Sequence, residues 1–320
     1  MKEDAIKKIQ INYMFQIALL PLFFLLVQCK KDDGDDGAPQ PPVAHHWQAG
    51  QVFFDEPRWT ECVVGDMPLI ISAPHGGAVR PAHVPDRTCP NATVGTDLYT
   101  MELARDIAEE LYQTYGVRPY LIINHLHRIK IDQNREINEA TCGNEEMKVI
   151  WHNFHHYIDT ALATAVNKFG RALYIDLHGH AHEKHRLELG YRLNASDLGH
   201  VYTNTNITAL TAKSTLVNLV GMAPSFNLRD LIIGDHAFGT LMANEGVPSV
   251  PSKQDPYPMS GEPFFNGGYN SDRYTSVHYP GVYGFQIECH RPGVRNPEDR
   301  PEFAKKFAKV VVDFLEKTKP

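Results

Sequence analysis

The sequence has few cysteines, no basic stripe and only one long apolar run, and each absence excludes a class of protein. Its five cysteines match no zinc-ribbon spacing, so a small domain folded around structural zinc is not expected. A formal net charge of −7 without a basic stripe argues against nucleic-acid binding. No glycine-rich loop could cradle a phosphate, which leaves phosphoester hydrolysis little support. The 320 residues suffice for one large domain or two small ones, and 17 histidines make a metal site worth considering.

The one long apolar run lies near the N-terminus, where lysines precede residues 9–27. This pattern predicts a signal sequence, with a single membrane-anchoring helix as the alternative. The run ends in Leu26-Val27-Gln28-Cys29, which resembles a bacterial lipobox with Cys29 as the lipidation point. The charged block at residues 30–36 resembles the surface-export signal of some bacterial lipoproteins, and a solvated Gly/Pro-rich tether follows it.

We therefore expect residues 1–28 to be a signal peptide, residues 29–45 a lipidated linker and residues 46–320 a single catalytic domain. The expected location is the bacterial outer membrane, with the lipid on Cys29 as anchor and the domain exposed at the surface. A periplasmic or secreted protein is the alternative. Four further cysteines could form one or two disulfides, and the pairing stays open. They are Cys62, Cys89, Cys142 and Cys289.

Two histidines follow short apolar runs that predict buried strands. Residues 172–177 form one run, which ends at His178-Gly179, and residues 68–73 form another, which leads into His75-Gly76-Gly77. Buried strands between helical patterns are typical of an α/β sheet, whose carboxyl edge binds ligands. Asp176, two residues before His178, could orient that imidazole. Either histidine alone could equally be structural.

Further candidates follow the next predicted elements. Thr96 could cap a helix from Asp97 to about Tyr115. Asp97 could be a third metal ligand, since a carboxylate commonly joins two histidines at zinc, or only a favourable charge at the helix N-terminus. After the strand predicted at residues 119–124 come Arg128, Asn134 and Arg135. Arginine and asparagine side chains there could hold a carboxylate or form a surface ion-pair cluster.

The last third of the chain supplies a loop and a strand with polar groups. Asn266 and Arg273 lie in the predicted loop, and both could contact a ligand. Glu288 is the carboxylate of a strand predicted at residues 282–291. Together these groups indicate metal-assisted hydrolysis. Zinc with two histidines and one carboxylate keeps a position for water, a glutamate can take the proton of that water, and an Asn-Arg pair can fix a substrate carboxylate.

The domain from about Pro68 to Arg291 resembles the N-formylglutamate amidohydrolase family, which is related to the zinc carboxypeptidases. The resembling segments are Ser72-Ala-Pro-His75-Gly-Gly77, Arg128 with Asp132-x-Asn134-Arg135, Asp176-Leu-His178-Gly, Val247-Pro-Ser, Asn266-Gly-Gly-Tyr269 and Gln286-Ile-Glu288. The resemblance implies a three-layer α/β/α sandwich with a mixed central sheet. It also implies one zinc ion on His75 and His178, Glu288 as general base, and a substrate carboxylate on Asn134 and Arg135.

The third zinc ligand cannot be the glutamate that the related families use. Ala78 stands where zinc carboxypeptidases place a glutamate, and Arg80 stands where related hydrolases use one. Asp97 is preferred because it aligns with a family aspartate just before the helix, and Asp86 is the alternative. Arg80, like Arg273, could contact an anionic substrate.

We therefore expect a zinc-dependent hydrolase that cleaves an amide bond next to a free carboxylate, in an N-acyl amino acid or a peptide. The alternative is a surface lipoprotein that binds a carboxylated ligand on a degenerate hydrolase fold. The missing glutamate near His75 favours that alternative, and Glu288 argues against it.

Overall fold

The structure is a computed structural model, and it describes residues 47–319. The predicted signal peptide and the whole predicted linker, including Cys29, lie outside this range. Within residues 47–319, no helix combines the length and the apolar character that a membrane crossing requires.

The fold is built on a mixed sheet of eight strands in the order β1-β2-β4-β3-β5-β8-β6-β7. The strands are β1 Val52–Phe54, β2 Thr60–Val63, β3 Leu69–Ala73, β4 Tyr120–Asn124, β5 Ala172–His180, β6 Leu187–Gly190, β7 Ser249–Val250 and β8 Val282–His290. The four central strands β4, β3, β5 and β8 are parallel. Strands β2 and β6 run antiparallel to their central neighbours. The prediction of an α/β domain with a mixed sheet is thus confirmed.

Ten α-helices in the described range connect or cover the strands. They are α1 Thr100–Tyr115, α2 Ile137–Thr141, α3 Glu145–Phe169, α4 Ala195–Tyr202, α5 Ile207–Lys213, α6 Val217–Met222, α7 Leu228–Ile233, α8 Phe238–Asn244, α9 Tyr269–Tyr274 and α10 Arg300–Lys317. Helices α1 and α10 pack on one face of the sheet, and α3 packs on the other.

Side chains that alternate along a central strand explain the three layers. Ile71 of β3 belongs to the apolar cluster that contains α1 and α10, whereas its neighbour Ile70 belongs to the cluster that contains α3. Successive side chains of a strand point to opposite faces, so a strand that is apolar on both faces needs a helical layer on each side. The central strands therefore read as continuous apolar runs in the sequence.

A disulfide and a cluster of ion pairs stabilise the periphery of the fold. Cys89 and Cys142 form a disulfide, while Cys62 and Cys289 are buried thiols. On β2, Glu61 binds Arg105 at 2.6 Å and His125 at 2.8 Å. Burial raises the pKa of Glu61, but the hydrogen bonds from His125 and Arg105 outweigh burial and hold that pKa at about 2.

Candidate metal centre

Two histidines from different parts of the chain meet at the carboxyl edge of the sheet. His75 follows β3, and His178 lies near the end of β5, the strand that pairs with β3 in parallel. Their ring centroids are 4.7 Å apart, and the residues are 1% and 2% exposed, respectively. Neighbouring parallel strands end at the same edge, which is why residues about one hundred positions apart come into contact.

Asp97 lies between the two imidazoles. Its Oδ2 is 3.4 Å from Nδ1 of His75 and 3.1 Å from Nδ1 of His178. One ligand atom from each residue lies within 4.8 Å of the others, so the three could hold a metal ion. Asp86 lies elsewhere, with a side chain that is 53% exposed and paired with Lys130 at 2.7 Å.

The position of Asp97 corrects the predicted start of helix α1. The helix begins at Thr100. No side chain forms a capping hydrogen bond at its N-terminus, so Thr96 does not cap it. The backbone N–H of Asp97 donates to the carbonyl of His75 at 3.1 Å, and the carbonyl of Asp97 accepts from Thr100. These bonds hold Asp97 in a turn ahead of the helix, and its carboxylate is therefore directed to the histidines.

The Nε2 atom of each imidazole is held by a further carboxylate, a different one for each histidine. Nε2 of His75 is 2.6 Å from Oδ1 of Asp132, and Nε2 of His178 is 2.7 Å from Oδ2 of Asp176. An ionised carboxylate only accepts hydrogen bonds, so each Nε2 donates, which leaves each Nδ1, on the side of Asp97, as the ring nitrogen that could bind a metal ion. Nδ1 of His75 is buried without a hydrogen-bond partner among the described residues. This arrangement is typical of metal-binding histidines.

Each of these supporting carboxylates has partners of its own. Asp132 accepts from Nε of Arg128 at 2.9 Å and lies 3.8 Å from Arg87. Asp132 is fully buried, and burial raises its pKa, but the hydrogen bond from His75 and the charge of Arg128 outweigh burial and keep that pKa well below the usual value.

Asp176 is equally buried and has a neutral set of partners. The hydroxyl of Ser72 donates to its Oδ1 at 2.5 Å, and the amide of Asn270 donates to the same oxygen at 3.3 Å. Burial lowers the pKa of His178, but Asp176 and Asp97 outweigh burial and raise that pKa well above the usual value.

Glu288 lies in the same row of the sheet as His178, because the two residues are partners in the parallel register of β5 and β8. Burial raises its pKa to about 8, with the charge of His178 lowering it and the charges of Asp97 and Glu188 raising it further. Nε2 of Gln286 donates to Glu288 at 2.8 Å and orients the carboxylate.

Of the candidate substrate-binding residues, some are connected to the candidate metal centre and others are not. Asn134 belongs to the centre: its Nδ2 is 3.2 Å from Nε2 of His178, and its Oδ1 accepts from the backbone of Asn270 at 2.8 Å. Arg128 reaches the centre through Asp132. The guanidinium of Arg135 is 3.0 Å from Glu139 on a partly exposed surface.

Neither Asn266 nor Arg273 forms a hydrogen bond or ion pair with the metal-ligand candidates in the described range. Asn266 accepts from the backbone N–H of Arg192 at 2.6 Å, and the following Gly268 lies so close to Asn134 that an added Cβ would be 2.5 Å from its Nδ2. Arg273 lines an open cleft of about 330 Å³ that none of the metal-ligand candidates lines, and its guanidinium is 3.5 Å from Asp159.

Sequence reasoning did not assign Asp132, Asn270 or Gln286 to the site. Asp132 and Gln286 stand inside the resembling segments, so their position beside candidate residues was a usable signal. Asn270 had no such signal, because only the packing of α9 against β5 brings its amide to Asp176.

No protein-family model matches the chain, and no curated protein matches it. Among solved structures, the chain is similar to the N-formylglutamate amidohydrolase from Ralstonia eutropha JMP134, with 14% identity and a TM-score of 0.51 over 81% of this chain and 98% of that one. A gene product from Agrobacterium tumefaciens is 11% identical, with a TM-score of 0.44 over 80% of this chain and 93% of that one. At these identities the likeness concerns the fold alone.

Proposed function

We propose that this protein is a zinc-dependent hydrolase that cleaves an amide bond next to a free carboxylate. The observation that carries the proposal is the convergence of two Nδ1 atoms and one carboxylate, with each Nε2 held by a further carboxylate. Two histidines and one carboxylate are a common ligand set of catalytic zinc, which keeps its fourth position open. The N-formylglutamate amidohydrolase of similar fold agrees with this reaction class.

The residues fit a zinc ion on chemical grounds. Nδ1 of His75 is a buried lone pair without a hydrogen-bond partner in the described range, which is costly unless something binds it. His75, Asp97 and His178 would hold the ion. When bound there, zinc would supply Lewis acidity that polarises a carbonyl and lowers the pKa of water.

Glu288 would serve as the general base. It is buried in the row of His178, and burial raises its pKa from the usual value toward the pH at which a proton must be accepted from water and returned to the leaving amine. Gln286 holds one carboxylate oxygen and limits rotation of the side chain.

The substrate carboxylate would be bound on the β4 side of the centre. Asn134 lies beside His178 and offers an amide, while Arg135, next along the chain, is partly exposed and can turn from Glu139 toward a ligand. Arg128 would add positive charge through its remaining guanidinium nitrogens. Asn266 and Arg273 would contact more distant parts of an anionic substrate.

We also propose that the chain is a lipoprotein anchored at Cys29 in the bacterial outer membrane, with no nucleic-acid partner. The disulfide between Cys89 and Cys142 agrees with an oxidising compartment. Labelling of cells with a fatty-acid probe should mark the wild type and spare Cys29→Ser; equal labelling would overturn the anchor.

The experiment measures zinc content and turnover of N-acyl amino acids, N-formylglutamate included, and of short peptides. The wild type should bind one zinc per chain and release amine. Asp97→Asn should lose zinc, whereas the matched substitution Asp86→Asn should keep it. Glu288→Gln should keep zinc and lose turnover by several orders of magnitude. Full activity in Glu288→Gln would remove the base, and zinc without any turnover would favour a binding protein.

A further inference from the structure

A second buried glutamate lies beside the candidate base. Glu188 of β6 is directly opposite Glu288 in the antiparallel register of β6 and β8. Directly opposite residues of an antiparallel pair project from the same face, with Cβ atoms about 4.5–5.5 Å apart. Since Glu288 is also the register partner of His178, the three side chains form one row across three strands. Glu188 therefore marks the β6 side of the metal centre.

Glu188 holds two loops that border this side. Its Oε1 is 2.8 Å from Nδ1 of His182, and its Oε2 accepts the backbone N–H of Phe265 at 2.8 Å. The ring of His182 stacks on that of Phe265, with centroids 4.8 Å apart. Glu188 is 1% exposed, whereas the side chain of His182 is 20% exposed. The imidazole is thus fixed in one orientation beside Glu188, and it is partly exposed.

The hydrogen bond to Glu188 determines what the other ring nitrogen can do. Because an ionised carboxylate only accepts, Nδ1 of His182 carries the hydrogen and Nε2 of the neutral ring keeps a lone pair. Within residues 47–319, no protein group forms a hydrogen bond with this Nε2. The ring therefore presents an acceptor beside the row of His178 and Glu288.

We propose that His182 is a further catalytic residue, which accepts a hydrogen bond from the N–H of the substrate amide, and that Glu188 is its positioning residue. The proposal rests on the amide hydrolysis proposed above. It gives the centre a group that recognises the nitrogen side of the scissile bond, opposite the carboxylate-binding side at Asn134. It also makes the protein selective for amides that carry an N–H over esters of the same shape.

The same residues could instead hold a second metal ion, since His180, His182 and Glu188 lie close together. Both ring nitrogens of His180 are already engaged, however. Nδ1 accepts from the backbone N–H of His182 at 3.1 Å, and Nε2 donates to the carbonyl of Arg186 at 2.8 Å. A cation would have to break these bonds, so His180 supports the loop and does not fit the role of a ligand to a second metal ion.

The test compares an amide, N-acetyl-L-glutamate, with its ester analogue, 2-acetoxyglutarate, which has no N–H. His182→Ala should lower kcat/KM for the amide about tenfold, the effect of one lost hydrogen bond, and change the ester less than threefold. Glu188→Gln should lower the amide value to a smaller extent. His185→Ala is the matched control because His185 lies in the same loop but is exposed and stacks on His290. It should leave both substrates unchanged.

An equal loss of kcat/KM for the amide and the ester would indicate a purely structural role for His182 and overturn the proposal. Unchanged kcat/KM values for both substrates would overturn it as well. Two zinc ions per chain, falling to one in His182→Ala, would replace it with a second metal site. Calorimetry on zinc-loaded Glu288→Gln separates this inference from the proposed function, because it needs no turnover. That protein should bind the amide more tightly than the ester, and adding His182→Ala should abolish the preference. Equal binding of the two compounds would overturn the inference alone, whereas binding of neither would overturn the substrate class of the proposed function and the inference with it.

Discussion

Replacing Asp132 by Asn should weaken zinc binding although Asp132 is not among the proposed ligands. Its Oδ1 accepts the hydrogen bond from Nε2 of His75, and that bond turns Nδ1 of the ring toward Asp97. Asparagine has nearly the same shape but no charge. The imidazole would then be a weaker electron donor, and its orientation would be less firmly held.

The expected loss is about 10–100-fold in zinc affinity, or about 1.4–2.7 kcal/mol. We place it in the upper half of that range for structural reasons. The contact is 2.6 Å long, and the two side chains are 1% and 0% exposed, so water cannot replace the lost partner. Arg128 would keep an acceptor in the asparagine oxygen, and the fold should therefore survive with a modest loss of stability.

The measurement is competition for zinc against a chromophoric chelator at pH 7, with circular dichroism and thermal unfolding as checks of the fold. Asp86→Asn makes the same chemical change at an exposed carboxylate that is paired with Lys130, and it should leave the affinity unchanged. A zinc affinity of Asp132→Asn within twofold of the wild type, in a folded protein, would refute the supporting role of Asp132.

Three further predictions concern stability and the approach to the site. Glu61, whose pKa of about 2 lies below the unfolded value, stabilises the fold above pH 4.5, and this contribution is lost as the pH falls toward 2. Urea unfolding should show that the free energy of unfolding of the wild type falls by about 1–2 kcal/mol across that pH range, a value reduced because Arg105 is partly exposed. Glu61→Gln should not show this fall. Cys89→Ser should lower the free energy of unfolding by about 4 kcal/mol, because the disulfide closes a 53-residue loop, and an unchanged denaturation midpoint would contradict this. Gly268→Ala should reduce turnover while zinc stays bound, since the added Cβ would lie 2.5 Å from Asn134 Nδ2, and wild-type kinetics would contradict the close approach.

Much of the fold was readable from local patterns. The strand that carries Glu288 was predicted within one residue, and the strand that carries His178 begins at the predicted residue, because both runs are apolar on both faces. The latter strand runs three residues further than predicted, to His180, because its pairing with β8 continues past Gly179. The start of helix α1 was wrong by three residues, since local capping rules place Thr96 at the helix start. The backbone bond from Asp97 to His75 overrides those rules, and no local pattern contains it.

By itself, the sequence determined the α/β class and which polar residues stand at strand ends, because both depend on neighbours along the chain. Only the tertiary structure decided which of those residues meet. It placed Asp97, and not Asp86, beside the two histidines, placed Asp132 against His75 and paired Cys89 with Cys142. The physical reason is that parallel strands adjacent in a sheet are far apart in the chain, so their pairing is decided by packing across the whole core rather than by any short segment.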